Sequence, residues 1–274
     1  MCHQTKALQK SHYLPKGGYK VNRAPALKNS DPVVLSPTAL KQSSVQLKDS
    51  LLCNDCEQLF NKQGENWVLA HIPRTYGEPF PLYDTLSAKV PVVADVYAGA
   101  SLKGVDVEKL VYFAMSLFWR GAVHSWDSVH DGQAPEVVLN KYEEPIRQFL
   151  LNNAPLPQDL ALNVFVCPNG RILNFMLAPY ETEADVPGCS KYICYISGIG
   201  FALHFGEQLP ADFRTLCAYH SPQKFLIVST EFEQRMREVL LKLVSERDDS
   251  KLKKMLAEID KIRSTPTTGS LPRS

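Results

Sequence analysis

Near residue 160 the spacing of apolar residues changes, and this change limits the fold more than any other feature of the chain. Before it, Leu110, Val111, Ala114, Leu117 and Phe118 recur at three and four, as one buried helix face does. Asp106 stands where an N-cap belongs, so a helix is expected from about Val107 to Val123. A second is expected over Tyr142–Asn152, with Pro145 tolerable only in its first turn. After the change, Leu162–Val166, Ile172–Leu177 and Lys191–Ile196 alternate or run apolar between Pro, Gly or Asn, as strands do. Asn169-Gly170 reads as a hairpin turn joining the first two. Phe201–Phe205 continues the sheet after Gly198 and Gly200, whose spacing fits a strand turn or bulge better than a phosphate loop, and Phe225–Val228 adds a strand. Glu231–Glu246 and Lys251–Ile262 read as helices of mixed charge. Helices and strands are thus segregated along the chain, which predicts an α+β fold with an antiparallel sheet rather than a doubly wound parallel one.

The first 50 residues behave differently. They are rich in Lys, Ser, Pro and Gly, lack long periodic runs, and hold eight basic side chains against Asp31 and Asp49, a balance of +6 in a chain of net charge +1. Such a segment has too little apolar surface to fold alone, and a bound metal would order it. Leu51-Leu52-Cys53-Asn54-Asp55-Cys56 opens a short helix expected to end near Gly64, and the proline-rich stretch from His71 to Pro91 reads as irregular. The expected organisation is a module over 1–70, a connector over 71–105, an α+β domain over 106–228, C-terminal helices over 229–263 and a disordered Pro/Ser/Thr-rich tail over 264–274.

Seven cysteines, an odd number, and no apolar leader argue against a disulfide framework and for a reducing, cytoplasmic setting. Tyr192–Phe205, the longest uncharged apolar stretch, is too short to span a bilayer, so no membrane partner is expected. Cys53 and Cys56 have the spacing that lets two thiolates face one zinc ion. Such a pair also serves redox chemistry or simply lies buried, but a redox pair wants a clean strand before it and a βαβ pattern around it. Neither is evident, and zinc is the expectation. Cys189, Cys194 and Cys217, with His220, are too irregularly spaced for a second metal site, and the three cysteines read as buried thiols. Trp119-Arg120 and His124-Ser125-Trp126 cluster at a helix end, where they stack on nucleotides or, more commonly, pack the helix.

Cys2, Ser11-His12-Tyr13-Leu14-Pro15 and Leu52-Cys53-Asn54-Asp55-Cys56-Glu57 together resemble HNH nucleases and their degenerate relatives, in a group of bacterial proteins with such a front end. The strong part covers about 65 residues, a quarter of the chain. The resemblance implies a treble-clef or ββα-metal core with structural zinc on Cys2, Cys53 and Cys56. The partner of Cys2 in the family's first knuckle would fall just before Met1, so either translation begins upstream or His3 or His12 completes the site. It further implies a metal-dependent endonuclease in defence or a mobile element, with His12 as general base and Mg²⁺ or Mn²⁺ held by Glu57 and Asn61, or by Glu65. Two positions depart from the active pattern: Ser11 stands where an acidic residue or histidine is common, and Glu57 where His or Asn is. The alternative is a non-catalytic module in which zinc is only structural and the basic segment docks nucleic acid or a protein.

Overall fold

A computed structural model describes residues 1–21, 33–35, 40–42, 47–73, 79–126, 137–168 and 176–245. The elements run β1 Leu8–His12, α1 Lys16–Val21, β2 Val33–Leu35, β3 Leu40–Gln42, β4 Lys48–Cys53, α2 Asn54–Phe60, α3 Asn66–His71, α4 Pro81–Ser87 and β5 Val96–Ala98. They continue with α5 Val107–Val123, α6 Glu143–Leu150, β6 Leu160–Val166, β7 Met176–Thr182, β8 Ser190–Ile196, β9 Ile199–Phe205, α7 Ala211–Thr215, β10 Phe225–Val228 and α8 Thr230–Ser245. The fold is mixed helix and sheet, as the sequence predicts.

Strands β1 and β4 form a small antiparallel pair, and eight strands form the main sheet in the order β3-β2-β7-β8-β9-β6-β10-β5. The main sheet is mixed rather than antiparallel throughout, because β2 runs parallel to β7 and β10 parallel to β6. The expected β6–β7 hairpin does not exist: β8 and β9 lie between them, and Asn169-Gly170 is outside the described residues. The tight hairpin is instead β8–β9, turning at Ser197 and Gly198, both at positive φ.

Helix α5 matches the expected Val107–Val123, with the Asp106 side chain accepting the Lys109 N–H at its start. It lies on one face of the sheet, where Phe113 meets Phe201 at 5.9 Å between ring centres. The Tyr112 hydroxyl donates to the Leu150 carbonyl and ties α6 alongside. On the other face Phe232 of α8 stacks on Phe165 at 4.3 Å. Gly200 permits this, because a Cβ there would lie 2.1 Å from the Phe232 ring.

The chain after Cys56 does not stop near Gly64. It continues through a π-type turn, Asn61–Glu65, in which the Asn66 N–H reaches back five residues to the Asn61 carbonyl, and on into α3. Gly64 serves close approach, since a Cβ there would sit 2.9 Å from the Phe113 backbone nitrogen. The connector is likewise structured in part, holding α4 and the edge strand β5. One hydrophobic cluster runs from Tyr13 through Phe60 and Phe113 to Leu226, so the boundary expected at residue 70 is not a division of the core. The second C-terminal helix and the tail lie outside the described residues. Among the described residues no helix is long and apolar enough to cross a membrane.

His204 on β9 is buried, and burial with the neighbouring Lys191 ammonium holds its pKa down to about 4, against the upward pull of Asp185. The folded state therefore disfavours protonating it, whereas the unfolded chain protonates near the ordinary value of about 6.5. Stability from this group is complete above that pH and is lost as pH falls towards 4. Urea midpoints at pH 7 and 4.5 are expected to differ less in His204→Gln than in the parent protein.

Candidate metal centre

The register of the small strand pair positions the thiols. Leu8 faces Cys53 and His12 faces Lys48, with an irregularity between Gln9 and Lys10. The Ser11 hydroxyl mends that irregularity by accepting the Leu52 N–H at 2.9 Å, and Ser11 is fully buried. Strand β4 then ends at Cys53, which sits in extended conformation as the N-cap of α2, so Cys56 falls in the first helical turn on the same side. Cys2 arrives from the segment before β1, and its Sγ lies 3.7 Å from that of Cys53. All three sulfurs lie within 4.8 Å of one another, and every cysteine is a free thiol.

Three cysteines so placed can hold a metal ion, and their chemistry fits zinc. Sulfurs about 2.3 Å from a tetrahedral zinc stand about 3.8 Å apart, whereas a disulfide needs about 2.05 Å. Without a cation the neighbouring sulfurs favour ionisation of Cys2 and oppose that of Cys56. Cys2 is pulled below the ordinary thiol value chiefly by the Gln4 backbone N–H. Burial first, then Cys53 and Cys2, push Cys56 up to about 12. A divalent ion would relieve that opposition by replacing the protons. Two cationic side chains among the described residues, besides the N-terminal ammonium, stand close enough to feel the sulfur charge: Lys6, paired with Asp55 at 2.6 Å, and Arg147 of α6. Arg147 also donates to the Met1 carbonyl and to both Glu144 oxygens, so α6 holds the segment that carries Cys2.

The other predicted residues are placed differently. His3 is exposed at φ 55° and stands outside the thiol group, as does partly buried His12. Four residues of extended strand, about 13 Å at 3.3 Å each, separate the level of His12 from that of Cys53. Neither imidazole completes the group as described. Glu57 and Asn61 share a helix face, since the Asn61 N–H bonds back to the Glu57 carbonyl. Glu57 Oε1 is buried without a hydrogen-bond partner among the described residues.

Glu65 is committed elsewhere. Its carboxylate pairs with the buried Arg120 guanidinium at 2.5 Å. Arg120 also donates to the Tyr13 carbonyl and covers the Phe60 ring at 4.7 Å. Trp126 donates its indole N–H to the Arg120 carbonyl and stacks on Tyr13 at 4.9 Å, and His124 meets Asp49 at 3.1 Å. The aromatic and basic residues at the end of α5 thus pack the His-x-x-Pro turn rather than standing free. The Glu65–Arg120 pairing was not legible from sequence spacing, because 55 residues separate the partners. Cys194 and Cys217 are buried thiols, and neither joins a metal-ligand cluster among the described residues.

Comparison with known protein families, curated proteins and solved structures returns no match to this chain.

Proposed function

We propose that the N-terminal segment is a zinc-stabilised module that binds nucleic acid, with the metal in a structural role. The observation that carries this reading is the position of the thiol group at the end of the strand pair away from His12. A metal held by those thiolates would stand about 13 Å along the strands from the level of His12, too far to polarise a phosphate beside it. Ser11, where active HNH proteins commonly carry an acidic residue, spends its hydroxyl on the backbone of Leu52. What the strand pair offers at its far end is charge: exposed Lys10 and Lys48 flank His12. Such a surface suits phosphate.

Fluorescence anisotropy with labelled single- and double-stranded DNA and RNA tests this. Binding is expected to weaken steeply between 50 and 200 mM salt, and Lys10→Glu with Lys48→Glu to reduce the slope of log K against log salt by about 2. Absence of binding to all four probes at low salt contradicts the reading.

One observation favours a second reading. The orphaned oxygen of Glu57, one residue past the knuckle, would be satisfied by a cation. On this reading the module is a metal-dependent endonuclease with His12 as base and Glu57 and Asn61 as Mg²⁺ or Mn²⁺ ligands. Cleavage that falls about 10²- to 10⁴-fold in His12→Ala would establish it.

A further inference from the structure

Away from the thiols, the sheet face under α7 and α8 carries a second constellation. Cross-strand register sets Lys191 of β8 directly opposite His204 of β9, and one step along sets Ile193 opposite Ala202. Directly opposed residues hold their Cβ atoms about 4.5–5.5 Å apart, so these four form a continuous floor. Phe232 is pinned to the sheet by Gly200 and Phe165 and closes one side. Phe213 of α7, 5.1 Å from the His204 ring, stands on the other. The space between is about 370 Å³, and Asp212 and Arg235 lie at its rim. That is the size of a small ligand site, with apolar walls and few polar groups.

The polar groups are specific. Lys191 is 7% exposed and is held by Asp185, whose two oxygens lie 3.0 and 2.8 Å from its Nζ. His204 Nδ1 is 3.8 Å from the same carboxylate. Burial keeps this imidazole neutral at pH 7, so it adds hydrogen-bonding capacity without charge. The lining therefore carries two cations, Lys191 and Arg235, and two carboxylates, Asp185 and Asp212.

That balance selects a ligand. A simple anion attracted to Lys191 would meet Asp185 beside it, and a simple cation attracted to Asp185 would meet Lys191. A molecule carrying both charges satisfies both. Lys191 has a third N–H beyond the two that Asp185 takes, and Asp185 is half exposed and can accept from an ammonium. We propose that this cavity binds a small zwitterion with an apolar side chain, namely a free α-amino acid with an aromatic or branched aliphatic side chain lodged between Phe213 and Phe232.

Calorimetric titration of the full chain with L-phenylalanine, L-leucine, glycine, 3-phenylpropionate and phenethylamine tests the proposal. Saturable binding of L-phenylalanine or L-leucine is expected. Glycine and each singly charged analogue should bind at least about tenfold more weakly, because each lacks the side chain or one charged hydrogen-bonding group. Arg235→Ala and Asp212→Asn change exposed residues and leave folding intact, and each should weaken the amino acid about threefold or more. Lys191→Met should abolish binding in protein whose circular dichroism is unchanged; if it unfolds the chain, the two rim variants decide. No saturable binding of either amino acid overturns the proposal. So does 3-phenylpropionate or phenethylamine binding as tightly as L-phenylalanine, or unchanged affinity in both rim variants.

Discussion

Glu65→Ala is expected to destabilise the protein by about 3–5 kcal/mol, because it strands a buried guanidinium. Arg120 is 1% exposed and Glu65 supplies its only carboxylate among the described residues. Its Nε already lacks a hydrogen-bond partner there, so little capacity remains to absorb the loss. A domain of this kind has about 5–15 kcal/mol in total, so the change removes a large share of it. The damage should concentrate where Arg120 touches: the Tyr13 carbonyl, the Phe60 ring and the π-type turn. Urea unfolding measures the loss, and hydrogen exchange locates it. The double variant Glu65→Leu with Arg120→Met should recover most of the stability, because removing both charges together leaves no buried charge unpaired. A loss below about 1 kcal/mol in Glu65→Ala would mean that water or another group satisfies Arg120.

Cys53→Ser has the larger expected effect. Structural zinc supplies about 10–16 kcal/mol of apparent binding energy in zinc-finger peptides, and that energy is folding energy. Cys53 joins the elements of the group: it ends β4, stands at the N-cap of α2 and lies 3.7 Å from the Cys2 sulfur. Without its thiolate the segment before β1 is left to the Arg147 hydrogen bond and the exposed Lys6–Asp55 pair, and the strand pair loses its anchor. Zinc content should fall from about one per chain towards zero. Limited proteolysis should then cut the segment before β1 and the β1–β4 pair, while strands β6 to β9 of the main sheet resist. The two substitutions separate the contributions, since Glu65→Ala leaves the thiols untouched.

Much of the fold is written in local periodicity. Helix α5 and its Asp106 cap, and strands β8, β9 and β10, all lie close to where spacing and turn residues put them. The pairing of strands is another matter. Sequence neighbours are natural hairpin partners, yet β6 pairs with β9 and β10, because the tight turn at Ser197-Gly198 joins β8 to β9 and brings β9 beside β6. Short strands such as β5 carry too few residues for a period to show. Gly64 read as a stop because glycine usually weakens helices, whereas its work is to let the π-type turn touch α5.

The candidate metal centre was legible in its thiols and not in its surroundings. The Cys-x-x-Cys spacing and the lone Cys2 identify the three residues that the fold gathers. Nothing local reveals that Ser11 is spent on Leu52, that Glu65 serves Arg120, or that Arg147 reaches the Met1 carbonyl. Each of these joins elements far apart in sequence. The Lys191–Asp185–His204 cluster was missed for a related reason, since two of its members meet only through β8–β9 register.

Metal analysis of the full chain, purified without chelator, combined with zinc K-edge absorption, tests the central claim most directly. The account predicts about one zinc per chain with sulfur neighbours at about 2.3 Å, and loss of that signal in Cys53→Ser. A metal-free protein that keeps its first 70 residues folded and resistant to protease would contradict it.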